Sequence, residues 1–165
     1  MIKGTGIPYT FLRNCLYTDL FLMSGPQAVG ARALYAAAAD GKAGYVTRAD
    51  CARVAAAALL TETGSSVRDI TGPEAVGQAD IAAILSEVAE KEIPYVPITC
   101  DALVAAMVEK GLPEFMPDVF SSFDVAIAEG YLNVASGDVE ELTGQKGQLV
   151  RDFLLANKAV LIGQG

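Results

Sequence analysis

Histidine and tryptophan are absent from the 165 residues of the chain, and cysteine occurs only three times. Without histidine the chain lacks the usual general base and the usual zinc or iron ligand, which excludes Ser-His-Asp and Cys-His hydrolase mechanisms. Cys15, Cys51 and Cys100 lie far apart and form no CxxC motif, which argues against both a disulfide framework and a zinc site. The sequence therefore predicts no metal site, and it predicts free thiols that are buried or half-buried.

Basic residues and long apolar runs are also scarce. Twelve basic side chains stand against twenty acidic ones, and the net charge of -8 repels phosphate backbones and anionic lipid headgroups. The longest apolar runs, Ala33 to Ala39 and Val54 to Leu60, fall far short of the roughly 20 residues that cross a bilayer. No apolar stretch of the secretory type follows Met1. We expect a cytoplasmic protein with neither nucleic acid nor membrane as a partner.

Two short runs have the composition of buried strands. Ile7 to Arg13 is rich in β-forming residues, and Val67 to Thr71 ends at a Gly-Pro pair. Between them, Arg32 to Ala37 and Gly44 to Thr47 are candidates for a small hairpin around Asp40 and Gly41. A further edge strand is predicted over Ile93 to Ile98, where two prolines lack the donor that a central strand needs.

Helices dominate the rest of the sequence. The alanine-rich run to Leu60 is predicted to begin at Asp50, whose carboxylate would cap the first turn. A short helical turn over Tyr17 to Met23 is expected to stop at Gly25 and Pro26. Later helices are indicated by apolar residues at helical spacing; they lie at about Gln78 to Lys91, between Thr99 and Gly111, from Met116 towards Gly130, and from Leu149 to Leu161.

Strands and helices alternate only in the first half of the chain, and two buried parallel strands are too few for a doubly wound core. The sequence is typical of the second half of an α/β protein. Gly4-Thr5-Gly6 lacks the third glycine of the dinucleotide fingerprint and precedes a strand instead of following one. No tyrosine is followed four residues later by lysine, so the paired Tyr and Lys of short-chain dehydrogenases are also missing.

Four segments, in order along the chain, resemble the C-terminal half of the NmrA-like atypical short-chain dehydrogenases, and most closely their NAD(P)H:quinone oxidoreductase branch. The segments are GIPYTFLRNCLYTD at Gly6 to Asp19, YVTRADCARVAAAALL at Tyr45 to Leu60, ITGPEAVGQADIAAILSEV at Ile70 to Val88, and VEELTGQKGQLVRDFLLANKAVL at Val139 to Leu161. Because they span almost the whole chain, the resemblance is far more specific than any single motif.

The resemblance implies the C-terminal part of a Rossmann-like doubly wound parallel sheet, with a smaller and mostly helical substrate-binding lobe. Sheet-side elements are expected at about 6–25 and 45–72, and the lobe at about 26–44 and 73–165. The glycine-rich half that holds the cofactor pyrophosphate in the family, roughly 120 residues, has no counterpart here. The complete protein is expected to use NADP or NAD to reduce a quinone-like small molecule, whereas the chain alone is expected to bind neither cofactor.

The resemblance also implies positions for the site. Leu12, Arg13 and Asn14 match the strand end that passes the cofactor's nicotinamide. The substrate pocket is expected beside the next four residues, Cys15, Leu16, Tyr17 and Thr18, and Tyr17 is the candidate proton donor. Residues 15 and 16 depart from a Gly-Trp pair that is usual in the family. Interpretations without a functional role also remain open. Arg13 would then be a side chain in solvent, Asn14 would only form a turn, and Tyr17 would lie on an apolar face.

Three functions remain open at this point. The first is the substrate-binding half of a quinone reductase, in which the cofactor delivers hydride and the protein supplies position and exclusion of water. The second is a non-catalytic NAD(P)-sensing regulator, because the same fold resembles such proteins. The third is a dimerising fragment, joined through the exposed edge of Tyr9 to Arg13 or the apolar face of the helix over Ala52 to Leu59.

Overall fold

The computed structural model describes residues 2–113 and 115–163, in which short strands alternate with helices and two single 3-10 turns. The strands are β1 (Thr10–Asn14), β2 (Leu34–Ala36), β3 (Lys42–Ala43), β4 (Ser66–Ile70), β5 (Val76–Gly77) and β6 (Tyr95–Pro97). The helices are α1 (Phe21–Ala31), α2 (Arg48–Thr61), α3 (Gln78–Ala89), α4 (Cys100–Glu109), α5 (Met116–Ala128), α6 (Asp138–Thr143), α7 (Val150–Ala156) and α8 (Lys158–Leu161).

Strands β1 and β4 form a parallel pair. Thr10 lies opposite Ser66, and Asn14 lies opposite Ile70, so both strands end at the same edge. Parallel strands require a long crossover, which the helices α1 and α2 supply here. The predicted α/β class is confirmed, and the two runs predicted as parallel strands are neighbours in one sheet.

The predicted hairpin around Asp40 and Gly41 is wrong. Strand β2 pairs in parallel with β6, and β3 pairs in antiparallel fashion with β5, so both partners come from later in the chain. The connection between β2 and β3 packs directly against α5. The two segments are so close that a Cβ atom on Gly41 would collide with the carbonyl oxygen of Ile127. The Tyr95 hydroxyl also donates to the Ala39 carbonyl at 3.1 Å. These distant contacts override the local turn signal.

The predicted stop at Gly25 and Pro26 is also wrong, since α1 continues through both residues to Ala31. Proline costs the helix a backbone hydrogen bond. The helix persists because Gly25 is buried against α8, where a Cβ atom would collide with the Leu161 side chain. Tertiary packing therefore decides the length of α1. Arg32, the residue after the last helical residue, caps the helix with a φ of 55°, which lies in the left-handed region.

Helix α2 forms as predicted, but its N-cap is Thr47 and not Asp50. The Thr47 hydroxyl accepts a hydrogen bond from the Asp50 backbone N–H at 3.0 Å. Asp50 lies in the first turn and is only 2% exposed. Its carboxylate accepts from the Gln148 backbone N–H at 2.9 Å and from the Arg53 guanidinium. Asp50 thus fastens the segment before α7 to α2.

The remaining helices follow the sequence pattern closely, with one exception. Helix α3 begins at Gln78, and Thr99 caps α4 by accepting from the Ala102 N–H at 3.2 Å. The last predicted helix is divided into α7 and α8 at Asn157, whose side-chain amide donates to the Phe153 carbonyl at 2.8 Å. An asparagine side chain that donates to the carbonyl four residues earlier competes with the backbone bonds of the helix and favours a break over continuation.

The apolar core has two parts. The larger cluster joins α1, α3, α7 and α8, with Ile81, Leu85, Leu154 and Leu161 almost completely buried. The smaller cluster, Val46, Val54, Ile70 and Val139, lies between α2, α6 and β4. Over the part of the chain that the structure describes, none of the helices combines the length and the apolar character that a bilayer span requires.

The roles of Thr47 and Asp50 give a stability prediction. Thr47→Ala removes one cap and should cost about 1 kcal/mol of unfolding free energy. Asp50→Ala leaves the Gln148 N–H and the Arg53 guanidinium without their acceptor, and should cost about 2–3 kcal/mol. Urea unfolding of the full chain measures both values, and Thr47→Ser, which keeps the hydroxyl, is the control. A cost for Asp50→Ala equal to or below that of Thr47→Ala would contradict this account.

Candidate functional site

A cleft of about 310 Å³ opens at the carboxyl ends of β1 and β4. In open α/β sheets this is the edge at which ligands bind. The two strands and the residues that follow them contribute Arg13, Asn14, Cys15, Asp69 and Thr71. The segment after α5 supplies the remaining wall with Tyr131, Leu132 and Val134. Three of the residues predicted from the sequence therefore lie together in one cleft.

Four of the predicted residues lie outside this cleft. Leu12 packs against the smaller apolar cluster and borders a separate groove beside α2. Leu16 packs against the larger cluster, and Thr18 is fully buried. Like these three residues, Tyr17 is not part of the cleft lining.

Tyr17 is held beside Asn14. The Asn14 side-chain amide donates to the Tyr17 hydroxyl at 3.4 Å, which is a long hydrogen bond. The guanidinium of Arg48 lies 5.1 Å from the centroid of the Tyr17 ring, within the range of a cation–π contact. Backbone bonds from Val46 N–H to Leu16 and from Thr18 N–H to Val46, at 3.0 and 2.9 Å, fix this part of the chain. The Asn14 and Tyr17 side chains thus form a polar pair at the edge of the cleft.

Arg13 binds Asp69, its neighbour in register across the two strands. The guanidinium donates two hydrogen bonds of 2.6 Å to the two carboxylate oxygens. This bonding raises the pKa of Arg13 above its ordinary value, so the side chain stays charged. Because the pair is exposed, it contributes little to stability. Its main effect is to hold two opposite charges in a fixed position at the rim of the cleft.

The backbone of Asp69 is fixed by the segment that precedes α6. Its N–H donates to the Asp138 carboxylate at 2.8 Å, and its carbonyl accepts from the Ser136 hydroxyl. The Ser136 N–H donates in turn to the Thr71 hydroxyl at 2.8 Å. Sequence reasoning did not select Asp69 or Thr71. The available signal was their position at the carboxyl end of a predicted parallel strand.

The segment after α5 is held equally firmly. Gly130, with a φ of 78°, ends the helix, and the Tyr131 N–H bonds to the Ala126 carbonyl at 3.0 Å. The Leu132 carbonyl accepts from the Gly44 N–H at 3.1 Å. Gly44 permits this approach because a Cβ atom there would collide with the Val134 carbonyl. The cleft wall is therefore anchored both to α5 and to the segment that follows β3.

Comparison with curated proteins identifies relatives that are reductases. The chain is 34% identical to quinone oxidoreductase 2 of Escherichia coli over 146 residues, which is 87% of this chain and 51% of that protein. It is 28% identical to the NAD(P)H azoreductase of Xenophilus azovorans over 160 residues, or 96% of this chain and 56% of the relative. The chain thus spans about half the length of these relatives. No family model matches it.

Solved structures agree with the sequence comparison. The E. coli NADPH-dependent quinone oxidoreductase complexed with NADPH superposes with a TM-score of 0.88 at 30% identity, over 95% of this chain and 56% of that one. The Citrobacter sp. triphenylmethane reductase complexed with NADP(H) gives 0.84 at 29% identity, over 98% and 54%. The resemblance to NmrA-like atypical short-chain dehydrogenases is confirmed. Its Rossmann-like class is confirmed with it, and the relatives are NAD(P)H-dependent oxidoreductases.

Cys15 places a thiol in the cleft. Cys15 is half-buried, and burial raises its pKa above the ordinary value. Burial likewise raises the pKa of Cys51 to about 11. Both thiols are therefore protonated at neutral pH, and a protonated thiol is a poor nucleophile. The predicted half-buried free cysteines are confirmed, since Cys100 is half-buried as well.

A half-buried carboxylate joins α5 to the loop after β2. Asp124 of α5 accepts a hydrogen bond from the Ala37 backbone N–H at 2.6 Å, and so joins the helix to the loop after β2. Burial raises the pKa of Asp124, and only the bond from Ala37 opposes this shift. Burial raises the pKa of both Tyr45 and Tyr95, and the nearby charge of Asp124 raises the pKa of each phenol further.

This environment predicts a pH dependence. A carboxyl group whose pKa is higher in the folded chain than in the unfolded chain loses stabilisation as the pH rises through the folded pKa. Asp124→Asn keeps an acceptor for Ala37 and removes the charge, so its melting temperature should exceed that of the wild type near about pH 7 and converge with it towards about pH 4. Asp124→Ala, which lacks an acceptor, should melt below Asp124→Asn throughout. A difference between Asp124→Asn and wild type that does not change with pH would contradict the prediction.

Proposed function

We propose that this chain is the substrate-binding part of an NAD(P)H-dependent oxidoreductase that reduces quinones by hydride transfer. The observation that carries the proposal is the cleft at the carboxyl ends of β1 and β4, in a chain whose relatives include quinone and dye reductases. The division into sheet-side elements at about 6–25 and 45–72 and a substrate lobe in the remainder belongs to the same proposal.

The residues of the cleft suit one end of a nicotinamide cofactor. The Asn14 amide offers hydrogen bonds of the kind that a carboxamide-bearing ring requires, and the cofactor, when bound, supplies the hydride. A cradle for the pyrophosphate needs a glycine-rich turn at a helix N-terminus. The sequence contains no such fingerprint, so the chain alone is not expected to bind NADPH stoichiometrically.

The remaining residues in the cleft, together with Tyr17 beside it, then act on the substrate. Leu132 and Val134 form an apolar wall that excludes water from the reacting ring. The Tyr17 hydroxyl accepts from Asn14 and keeps its own proton available for transfer to a reduced quinone oxygen. Cys15 borders the same space as a neutral, polarisable group. The two hydrogen bonds to Asp69 hold the charged Arg13 side chain at the rim of the cleft.

The test joins this chain in frame behind the cofactor-binding half of E. coli quinone oxidoreductase 2 and follows NADPH oxidation with a panel of quinones. We expect turnover by the fusion, and a fall in kcat/KM of at least about tenfold for Asn14→Ala and for Tyr17→Phe. The melting temperature should stay unchanged.

Tyr35→Phe is the matched control, because this tyrosine is 52% exposed on β2 and, unlike Tyr17, is not bonded to the cleft residue Asn14. A folded fusion that binds NADPH but reduces no quinone would refute the proposed substrate. Wild-type kinetics in both cleft variants would remove Asn14 and Tyr17 from the site.

A second candidate function, association of two copies, is favoured by the surface of α2. Leu59 and Leu60 are 88% and 85% exposed near its end. Beside them a groove of about 400 Å³ runs between α2 and the start of β1. Within the described residues, β1 pairs with β4 on one side only. Burying such an apolar face against a second copy removes it from water.

This association predicts a dimer of the chain in light scattering at micromolar concentration. Leu59→Lys with Leu60→Lys should shift the mass to that of the monomer, because the two charges cannot be buried unpaired. Met23→Lys, an equally drastic change at an exposed position on α1, is the control and should leave the mass unchanged. A monomeric wild-type chain would exclude this candidate.

A further inference from the structure

Tyr131 is the most exposed of the six tyrosines, with 73% of its surface open to solvent, and it stands in the wall of the cleft. A large aromatic side chain that is not covered by the protein keeps its ring faces available for a ligand. Tyr17, the other tyrosine near the cleft, differs in this respect because Arg48 lies over its ring. Among the described residues, Tyr131 has neither an aromatic nor a cationic partner of this kind.

The backbone that carries Tyr131 is fixed on both sides. Its own N–H is bonded to the Ala126 carbonyl at 3.0 Å, and the next carbonyl, that of Leu132, accepts from the Gly44 N–H at 3.1 Å. The Leu132 side chain also packs against the larger core cluster, which fixes this part of the wall from inside. A tyrosine has only two side-chain torsions to fix, and a fixed backbone lowers the entropic cost of ordering a ligand against it.

The surroundings of the ring select for a flat, uncharged molecule. Leu132 and Val134 are apolar, and across the cleft Asn14 offers an amide hydrogen bond. The Arg13 and Asp69 charges offset each other through two hydrogen bonds, which weakens the attraction of the pair for an ionic ligand. A volume of about 310 Å³ lies at the lower end of the range of small-molecule sites, roughly 300–1,000 Å³.

We infer that Tyr131 is a specificity-determining residue, whose ring forms the stacking surface for a planar aromatic or quinonoid acceptor in the cleft. The inference rests on the proposed function and extends it to a residue that the sequence did not single out. An electron-poor quinone ring stacks face to face with an electron-rich phenol ring at an offset, and its oxygen meets the Asn14 amide. A saturated ring of the same size gains no stacking.

The full chain, labelled with nitrogen-15, is titrated with duroquinone, a quinone whose ring positions are all methylated and therefore closed to thiol addition. Amide shifts of Asn14, Cys15, Leu132 and Val134 report occupancy of the cleft. We expect saturable shifts at these amides, binding roughly three- to tenfold weaker in Tyr131→Ala, and an unchanged affinity within about twofold in Tyr131→Phe. Tyr35→Ala, the matched exposed tyrosine, should bind as the wild type does, and cyclohexanone should cause no saturable shift.

Two results would overturn the inference. If duroquinone shifts the cleft amides and Tyr131→Ala binds as tightly as the wild type, Tyr131 is not the stacking surface, while the proposed function is unaffected. If duroquinone shifts no cleft amide, the stacking site is refuted in this chain. The proposed quinone reduction is then decided separately by turnover of the fusion protein, which depends on Asn14 and Tyr17.

Discussion

The parallel pairing of β1 with β4 is the constraint on which the rest of the site depends. Its register places Arg13 opposite Asp69 and ends both strands at one edge, so residues that are 56 positions apart in sequence exchange two hydrogen bonds. A shift of one residue would break that ion pair and send the side chains to the opposite faces. The bonds from Ser136 and Asp138 to the backbone of Asp69 hold β4 in this register from its other side.

Local signals predicted those parts of the fold that are determined by local interactions. The β-forming residues of β1 and the alanine-rich run of α2 act locally, and the strand and the helix form at the predicted places, although β1 is half-buried to exposed where a buried strand was predicted. The errors arose where a distant contact decides the outcome. Gly25 is packed by α8 and Gly41 by α5, and neither neighbour is visible in a local window of sequence.

The same distinction applies to the cleft. Arg13, Asn14 and Cys15 were selected because they follow a recognisable strand in a recognisable family segment, and they do line one cleft. Thr71 reaches it from the end of β4, whereas Tyr131 reaches it only through the folding of α5. The exposure of Tyr131 and the partial burial of Asp124 likewise depend on tertiary packing, and residue type alone does not specify either.

The hydrogen bonds to Asp69 also determine how the sheet can grow. Tyr9 and Cys15, the residues that flank β1, form backbone hydrogen bonds to β4. Backbone groups alternate in direction along a strand, so those of Thr10, Leu12 and Asn14 in β1 point away from β4. The corresponding outward groups of β4 at Asp69 are already bonded to Asp138 and Ser136. A further strand can therefore add beside β1 but not beside β4 at this point. Such a one-sided sheet terminates after a single addition, so edge pairing between copies would close at two chains and could not propagate into a fibre.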